Sequence, residues 1–231
     1  MMTSEAQRLA YLDALGIDVF SPRADDGAAS PETASDVLQR HREIETIDWP
    51  ELESVVASCT LCGLHCTRTR TVFGVGYRAA DWMIIGEAPG AEEDRRGEPF
   101  VGRAGKLLDE MLRALGLDRD KVFIANILKC RPPGNRDPAA VEADACRAYL
   151  DRQIELVQPR LILAVGRIAA QKLLNSDQTV GRLRGKVHSL GQPAIPVVVT
   201  YHPAYLLRSP QQKREAWKDL CLARDAMGVP S

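Results

Sequence analysis

From Asp81 onward the chain alternates short, wholly apolar runs with longer stretches whose apolar residues recur every three or four positions. Apolar runs bounded by Gly, Pro or Asn read as strands covered on both faces. They fall at 82–86, 122–127, 161–165 and 195–200. Between the first two, Leu107, Leu108, Met111, Leu112 and Leu115 mark one face of a helix over 105–115, with Gly116 as its stop. Helical spacing also covers 138–157 and 167–174. Strands alternating with helices predict the α/β class: a three-layer α/β/α sandwich around a mostly parallel sheet of about four strands, joined by right-handed crossovers. Upstream, Leu9, Ala10, Leu12 and Leu15 predict a helix over 4–15 that stops at Gly16, and 23–35 is an Ala/Asp/Gly/Ser/Pro-rich linker. A short helix is expected over 49–58. The expected organisation is an N-terminal helix and linker, 1–50, ahead of one folded domain, 51–231.

Composition adds little until it is split along the chain. Residues 1–53 carry 12 Asp/Glu against 4 Lys/Arg, and the rest carry 19 against 26, so a net charge of −1 hides an acidic leader on a basic body. That balance suits a polyanion-binding domain, although a solvated surface gives the same count. No apolar stretch is long enough to span a membrane. Glu5, Arg8, Asp13 and Asp18 interrupt the N-terminus, so no secretory leader is expected and the bacterial cytoplasm is the expected location.

Two segments carry candidate chemistry, and each follows an apolar run: Gly86-Glu87-Ala88-Pro89-Gly90 after 82–85, and His202-Pro203-Ala204-Tyr205-Leu206-Leu207-Arg208 after 195–200. In open α/β sheets, ligands bind at the carboxyl ends of parallel strands. The two loops are therefore candidate walls of one site, able to handle a polar ring while holding a phosphate chain. Neither contains the Gly-Lys-Ser/Thr of a P-loop.

The six cysteines are Cys59, Cys62, Cys66, Cys130, Cys146 and Cys221. Cys59 and Cys62 form a C-x-x-C, and Cys130 and Cys146 form a second, wider pair. In a reducing compartment, four such thiols favour a metal or redox site over disulfides. Zinc and an iron–sulfur cluster both satisfy the spacing. Cys66 leaves room for a third ligand in the first loop, and Cys221 reads as packing.

Taken together, these segments resemble the family 4 uracil-DNA glycosylases, the iron–sulfur branch of their superfamily. The resemblance runs from about Cys59 to Asp219 and takes in the C-x-x-C, the GEAPG loop, the stretch ending Pro99-Phe100-Val101-Gly102-Arg103-Ala104-Gly105, the block from Ala125-Asn126 to Pro138, and HPAYLLR. It implies a monofunctional enzyme that flips uracil out of single- or double-stranded DNA and hydrolyses the N-glycosidic bond. It also implies a structural 4Fe–4S cluster on Cys59, Cys62, Cys130 and Cys146. Cys66 departs from the family pattern and is expected to be a bystander.

Site roles follow from the same resemblance. A carboxamide can donate to uracil O4 and accept from N3–H in one plane, so Asn126 is the expected reader. Gly86 and Ala88 line the base pocket, Phe100 is the stacking platform, and Glu93 excludes the thymine methyl. His202 is the donor to uracil O2 as charge builds there. The GEAPG loop lacks the Asp that better-known uracil glycosylases use as general base, which leaves Glu87 to position water. Leu206 and Leu207 form the wedge, with Arg208 on phosphate. Lys129, Arg131, Arg136, Arg182, Arg184 and Lys186 extend the phosphate footprint. Neither loop offers a Schiff-base lysine, so strand cleavage is not expected.

Two other readings remain. One is a superfamily member that captures uracil-DNA without turnover; that branch carries an inserted basic, histidine-containing loop, and Asp94-Arg95-Arg96-Gly97-Glu98-Pro99 has neither insertion nor histidine. The other is a mononucleotide-binding α/β regulator with a zinc clasp. A monomer is expected, with the N-terminal helix free to recruit a protein partner.

Overall fold

In the computed structural model, the described residues are 42–228 together with positions 15 and 39. The expected N-terminal helix and linker fall outside this range apart from Leu15. Six strands form one sheet: β1 (Val75–Gly76), β2 (Trp82–Gly86), β3 (Phe123–Asn126), β4 (Leu161–Val165), β5 (Val187–Leu190) and β6 (Ile195–Thr200), in the order β1-β3-β2-β4-β6-β5. The inner four strands run parallel, and β1 and β5 pair antiparallel at the two edges. The sheet therefore exceeds the four strands read from sequence. The extra strands lack an apolar run: β1 is two residues long, and β5 (Val-His-Ser-Leu) is half solvated, as an edge strand can be.

Helices cover both faces. They are α1 (Trp49–Ala57), α2 (Ala91–Arg96), α3 (Arg103–Arg113), α4 (Ala140–Val157), α5 (Arg167–Leu174), α6 (Val180–Leu183), α7 (Pro203–Arg208) and α8 (Lys213–Ala226). Asp48 caps α1 by accepting from the Glu51 N–H at 3.1 Å, which fixes where the first helix begins. Alternate strand residues feed two cores. Met83, Ile85, Ile162 and Val197 pack with α1, α4 and α5, whereas Ile84, Leu163 and Val198 pack with Leu108 and Leu112 of α3 and Leu220 of α8. Burial on both faces is why these strands read as unbroken apolar runs. Ile44, ahead of α1, is also buried in the first core. No helix among the described residues is long and apolar enough to cross a membrane.

Candidate active site

The carboxyl ends of the four parallel strands open into a cleft of about 640 Å³ lined by Glu87, Phe100, Asn126, Arg167, Tyr201 and His202, among others. Its walls come from the loops that follow β2, β3, β4 and β6. The loops after β2 and β6 meet here with Asn126 at the end of β3, as expected from the sequence, and the fold adds Gly166 and Arg167 after β4.

Gly86 is the hinge of the packing. A Cβ there would lie 2.4 Å from Asn126 Oδ1 and 2.6 Å from the Phe100 ring, so only glycine lets the amide and the ring approach β2. Asn126 ends β3 with 2% of its surface exposed, and its Oδ1 is buried without a hydrogen-bond partner. A buried, unpaired amide oxygen costs about 1–3 kcal/mol. Facing a cleft, it marks a position that a ligand donor would satisfy.

Phe100 is held in a left-handed backbone conformation, φ 54°. The loop around it is clamped from both sides. Arg119 donates to the carbonyls of Pro99 (2.7 Å) and Phe100 (3.2 Å). Glu93 accepts through Oε1 from the Val101 and Gly102 N–H groups at 3.0 and 2.9 Å, and through Oε2 from Gly90 N–H at 3.1 Å. The Glu93 carboxylate lines the cleft, but its oxygens bind the two loops together, which the sequence did not indicate. The Phe100 ring stacks against His202, with centroids 5.7 Å apart and planes at 29°.

His202 caps α7. Its Nδ1 accepts from the Ala204 N–H at 3.1 Å, which assigns the proton of the neutral ring to Nε2. Burial, reinforced by the Arg208 cation and opposed by Glu93, lowers its pKa to about 4. The ring is thus a neutral N–H donor at physiological pH. Gly166 packs against it: a Cβ there would stand 3.0 Å from the His202 Cβ.

Glu87 is half-buried, and burial together with Asp137 raises its pKa while Arg167 opposes the rise. Asp137 and Arg167 form an ion pair on the cleft wall. Arg167 follows the end of β4 after a single residue, Gly166, at a strand end like those that follow 82–86 and 195–200. Ala88 is half-buried beside Glu87.

Three expectations are corrected. Leu206 is 1% exposed and belongs to the core with Leu108 and Leu220, so of the apolar pair only Leu207, 38% exposed, reaches solvent. Arg184 is tied to Asp219 and Glu215 at 3.0 Å each and stacks on Tyr201, so it cannot serve a phosphate. Lys129 is 1% exposed and equally withdrawn from solvent. Arg208 stays exposed at the cleft.

Away from the cleft, Cys59, Cys62, Cys130 and Cys146 line one small cavity with Arg68, Lys129 and Tyr149. Burial is the main cause raising the pKa values of Cys62, Cys130 and Cys146, the last to about 12, with neighbouring thiolates adding to the rise. Arg68 donates to Cys130 Sγ at 3.1 Å. Cys66 is exposed, outside this cavity, 3.3 Å from His65 Nε2. Among the described residues, no three His, Cys, Asp or Glu side chains as placed enclose a single metal ion.

The family model described as "Uracil DNA glycosylase superfamily" matches residues 73–223. The type-4 uracil-DNA glycosylase of Archaeoglobus fulgidus is 44% identical over 182 residues, covering 76% of this chain and 90% of that protein. Its Thermotoga maritima counterpart is 44% identical over 156 residues, 67% of this chain and 80% of that one. A type-5 uracil-DNA glycosylase from Pyrobaculum aerophilum is 33% identical over 141 residues, 54% of this chain and 61% of that protein.

Proposed function

The chain belongs to the uracil DNA glycosylase superfamily, and from that membership we propose that it is a DNA-repair hydrolase that flips uracil out of DNA and cleaves its N-glycosidic bond, leaving an abasic site. The observation that carries this reading is the buried, unpartnered Asn126 Oδ1, which adjoins Gly86 together with the Phe100 ring that stacks on His202.

Uracil O4 and N3–H offer one acceptor and one donor on one edge, and a single carboxamide complements both. Phe100 and the Gly86 backbone shape the slot for the ring. As the bond to deoxyribose lengthens, negative charge grows on uracil O2, and the neutral His202 Nε2–H is a preorganised donor for it. Glu87, held near the sugar by the GEAPG loop, orients water toward the oxocarbenium-like carbon. Glu93 acts on selectivity through the loops it ties, which fixes how closely the wall approaches the base. Leu207 fills the stack left by the extruded nucleotide, and Arg208 holds phosphate.

The thiol cavity fits a 4Fe–4S cluster: its donor set is four cysteines, as such clusters require, and Arg68 and Lys129 border it as cations. Cys59, Cys62, Cys130 and Cys146 would hold the cluster. When bound, the cluster supplies a cross-link between the C-x-x-C loop, the segment after β3 and α4, and no redox step is needed for glycosyl hydrolysis. We further propose that the enzyme acts as a monomer and that residues 1–50 recruit a protein partner. Deleting 1–50 without loss of any pull-down would sink that last point.

The test is uracil release from a single-stranded oligonucleotide with one uracil, against matched thymine and cytosine controls. Alkali-dependent scission at uracil alone supports the reading. A heat-stable shifted band without release favours covalent capture instead.

A further inference from the structure

Lys129 is the one lysine that the proposed chemistry does not use and that the fold nevertheless buries. Its ammonium donates to the Asn126 main-chain carbonyl at 2.9 Å and to Gln153 Oε1 at 2.6 Å. Gln153, fully buried on α4, passes the connection on by donating to the Phe73 carbonyl at 2.9 Å. The Lys129 carbonyl accepts from Val72 N–H at 2.7 Å, and its own N–H faces the Cys146 sulfur. One residue therefore touches the strand end that carries the uracil-reading amide, the helix that carries Cys146, and the thiol cavity.

Both hydrogen-bond partners of this ammonium are neutral acceptors, and the charges that favour it are those of the Cys146 and Cys130 sulfurs. A buried cation with no carboxylate beside it pays a desolvation cost that an apolar residue of the same shape would avoid. Methionine would fill the same space without the two hydrogen bonds that tie the Asn126 carbonyl to Gln153. The peptide plane after Asn126 sets the direction of that residue's Cα–Cβ bond relative to the cleft. Ile127 N–H, in that same peptide plane, donates to the Gly86 carbonyl at 3.0 Å, and Leu128 N–H donates to the Glu87 carbonyl at 3.0 Å. Lys129 thus holds the opposite edge of a plane that β2 holds from the other side.

We propose that Lys129 is the positioning residue of the uracil-reading amide, clamping the Asn126 carbonyl to Gln153 and so making the amide and the cysteine-lined cavity one rigid unit. This rests on the excision reading above. Loss of the clamp leaves Asn126 present but misaimed, which affects the bound transition state more than DNA affinity.

The experiment is a double-mutant cycle of Lys129→Met and Asn126→Ala, read in single-turnover excision, oligonucleotide Kd, uracil affinity by calorimetry and iron content. Lys129→Met is expected to slow excision 10- to 100-fold and weaken uracil binding about tenfold, with oligonucleotide Kd within twofold and iron content unchanged. In the Asn126→Ala background the same change is expected to cost less than twofold. Unchanged excision, full additivity, or a rate loss that tracks iron loss would overturn the proposal. If Lys129→Met does not fold, Gln153→Met removes one half of the clamp and is expected to slow excision 3- to 10-fold, again non-additively with Asn126→Ala, and additivity would overturn it. A wild type that binds uracil but does not excise it would sink the excision reading alone, with the cycle still readable in affinity.

Discussion

At the scale of single residues, the site depends on polar groups whose environment fixes their state. His202 is neutral because burial and Arg208 disfavour its cation, and its Nδ1 is already committed to the Ala204 N–H. Donation from His202 is therefore expected to hold level from pH 8 down to about 5 and to fail as the ring protonates near 4, while Glu87, its carboxyl held above the usual range by burial, adds a separate loss as pH falls. An NMR titration of the His202 ring with a midpoint near 6.5, the value of an unperturbed histidine, would contradict this assignment. Stability should move with it. An unfolded chain protonates this histidine near 6.5 and the folded one only near 4, so between those values the unfolded state binds more protons and folding weakens as pH falls. Thermal melting of His202→Gln should lose that slope. At neutral pH the same variant should keep its fold and lose about 10²- to 10³-fold in excision rate, and a loss below tenfold would remove His202 from the mechanism. Asn126→Ala is expected to cost a similar factor in a steady-state release assay while sparing thermal stability.

At the scale of elements, the loop between α2 and α3 is shaped by ties that its own sequence does not advertise. Glu93→Ala frees the Gly90, Val101 and Gly102 N–H groups. Hydrogen bonds to a charged group are worth about 1.5–3 kcal/mol. We expect a comparable loss in denaturant stability and a lowered kcat, because Phe100 loses its anchor; unchanged stability would show the clamp to be incidental. The inner strands and the helices over 105–115, 138–157 and 167–174 were legible because burial on both faces or one face leaves a period in the sequence. Edge strands β1 and β5 were not, being short or half solvated. Leu206 and Leu207 look identical in a sequence. Only the helical turn begun at His202 decides that the first faces the core and the second the solvent. Arg184 likewise reads as a surface cation until Asp219, far along the chain, reaches it.

At the scale of the whole molecule, two distant constructions share β3 and the segment after it: the cleft takes Asn126 and the cysteine cavity takes Cys130. On the cluster reading the protein is expected to be brown, and Cys130→Ala to lose that colour and most soluble expression; a stable, coloured and active variant would show the ligand set to be wrong. The strand order has a temporal consequence as well. The cleft draws one wall from each of four parallel strands, and β6, the last in sequence, enters the sheet beside β4, with His202 seated against Gly166. His202 is therefore translated after the segments that carry Gly86, Asn126 and Arg167, and the cleft gains its last wall only when β6 pairs with β4.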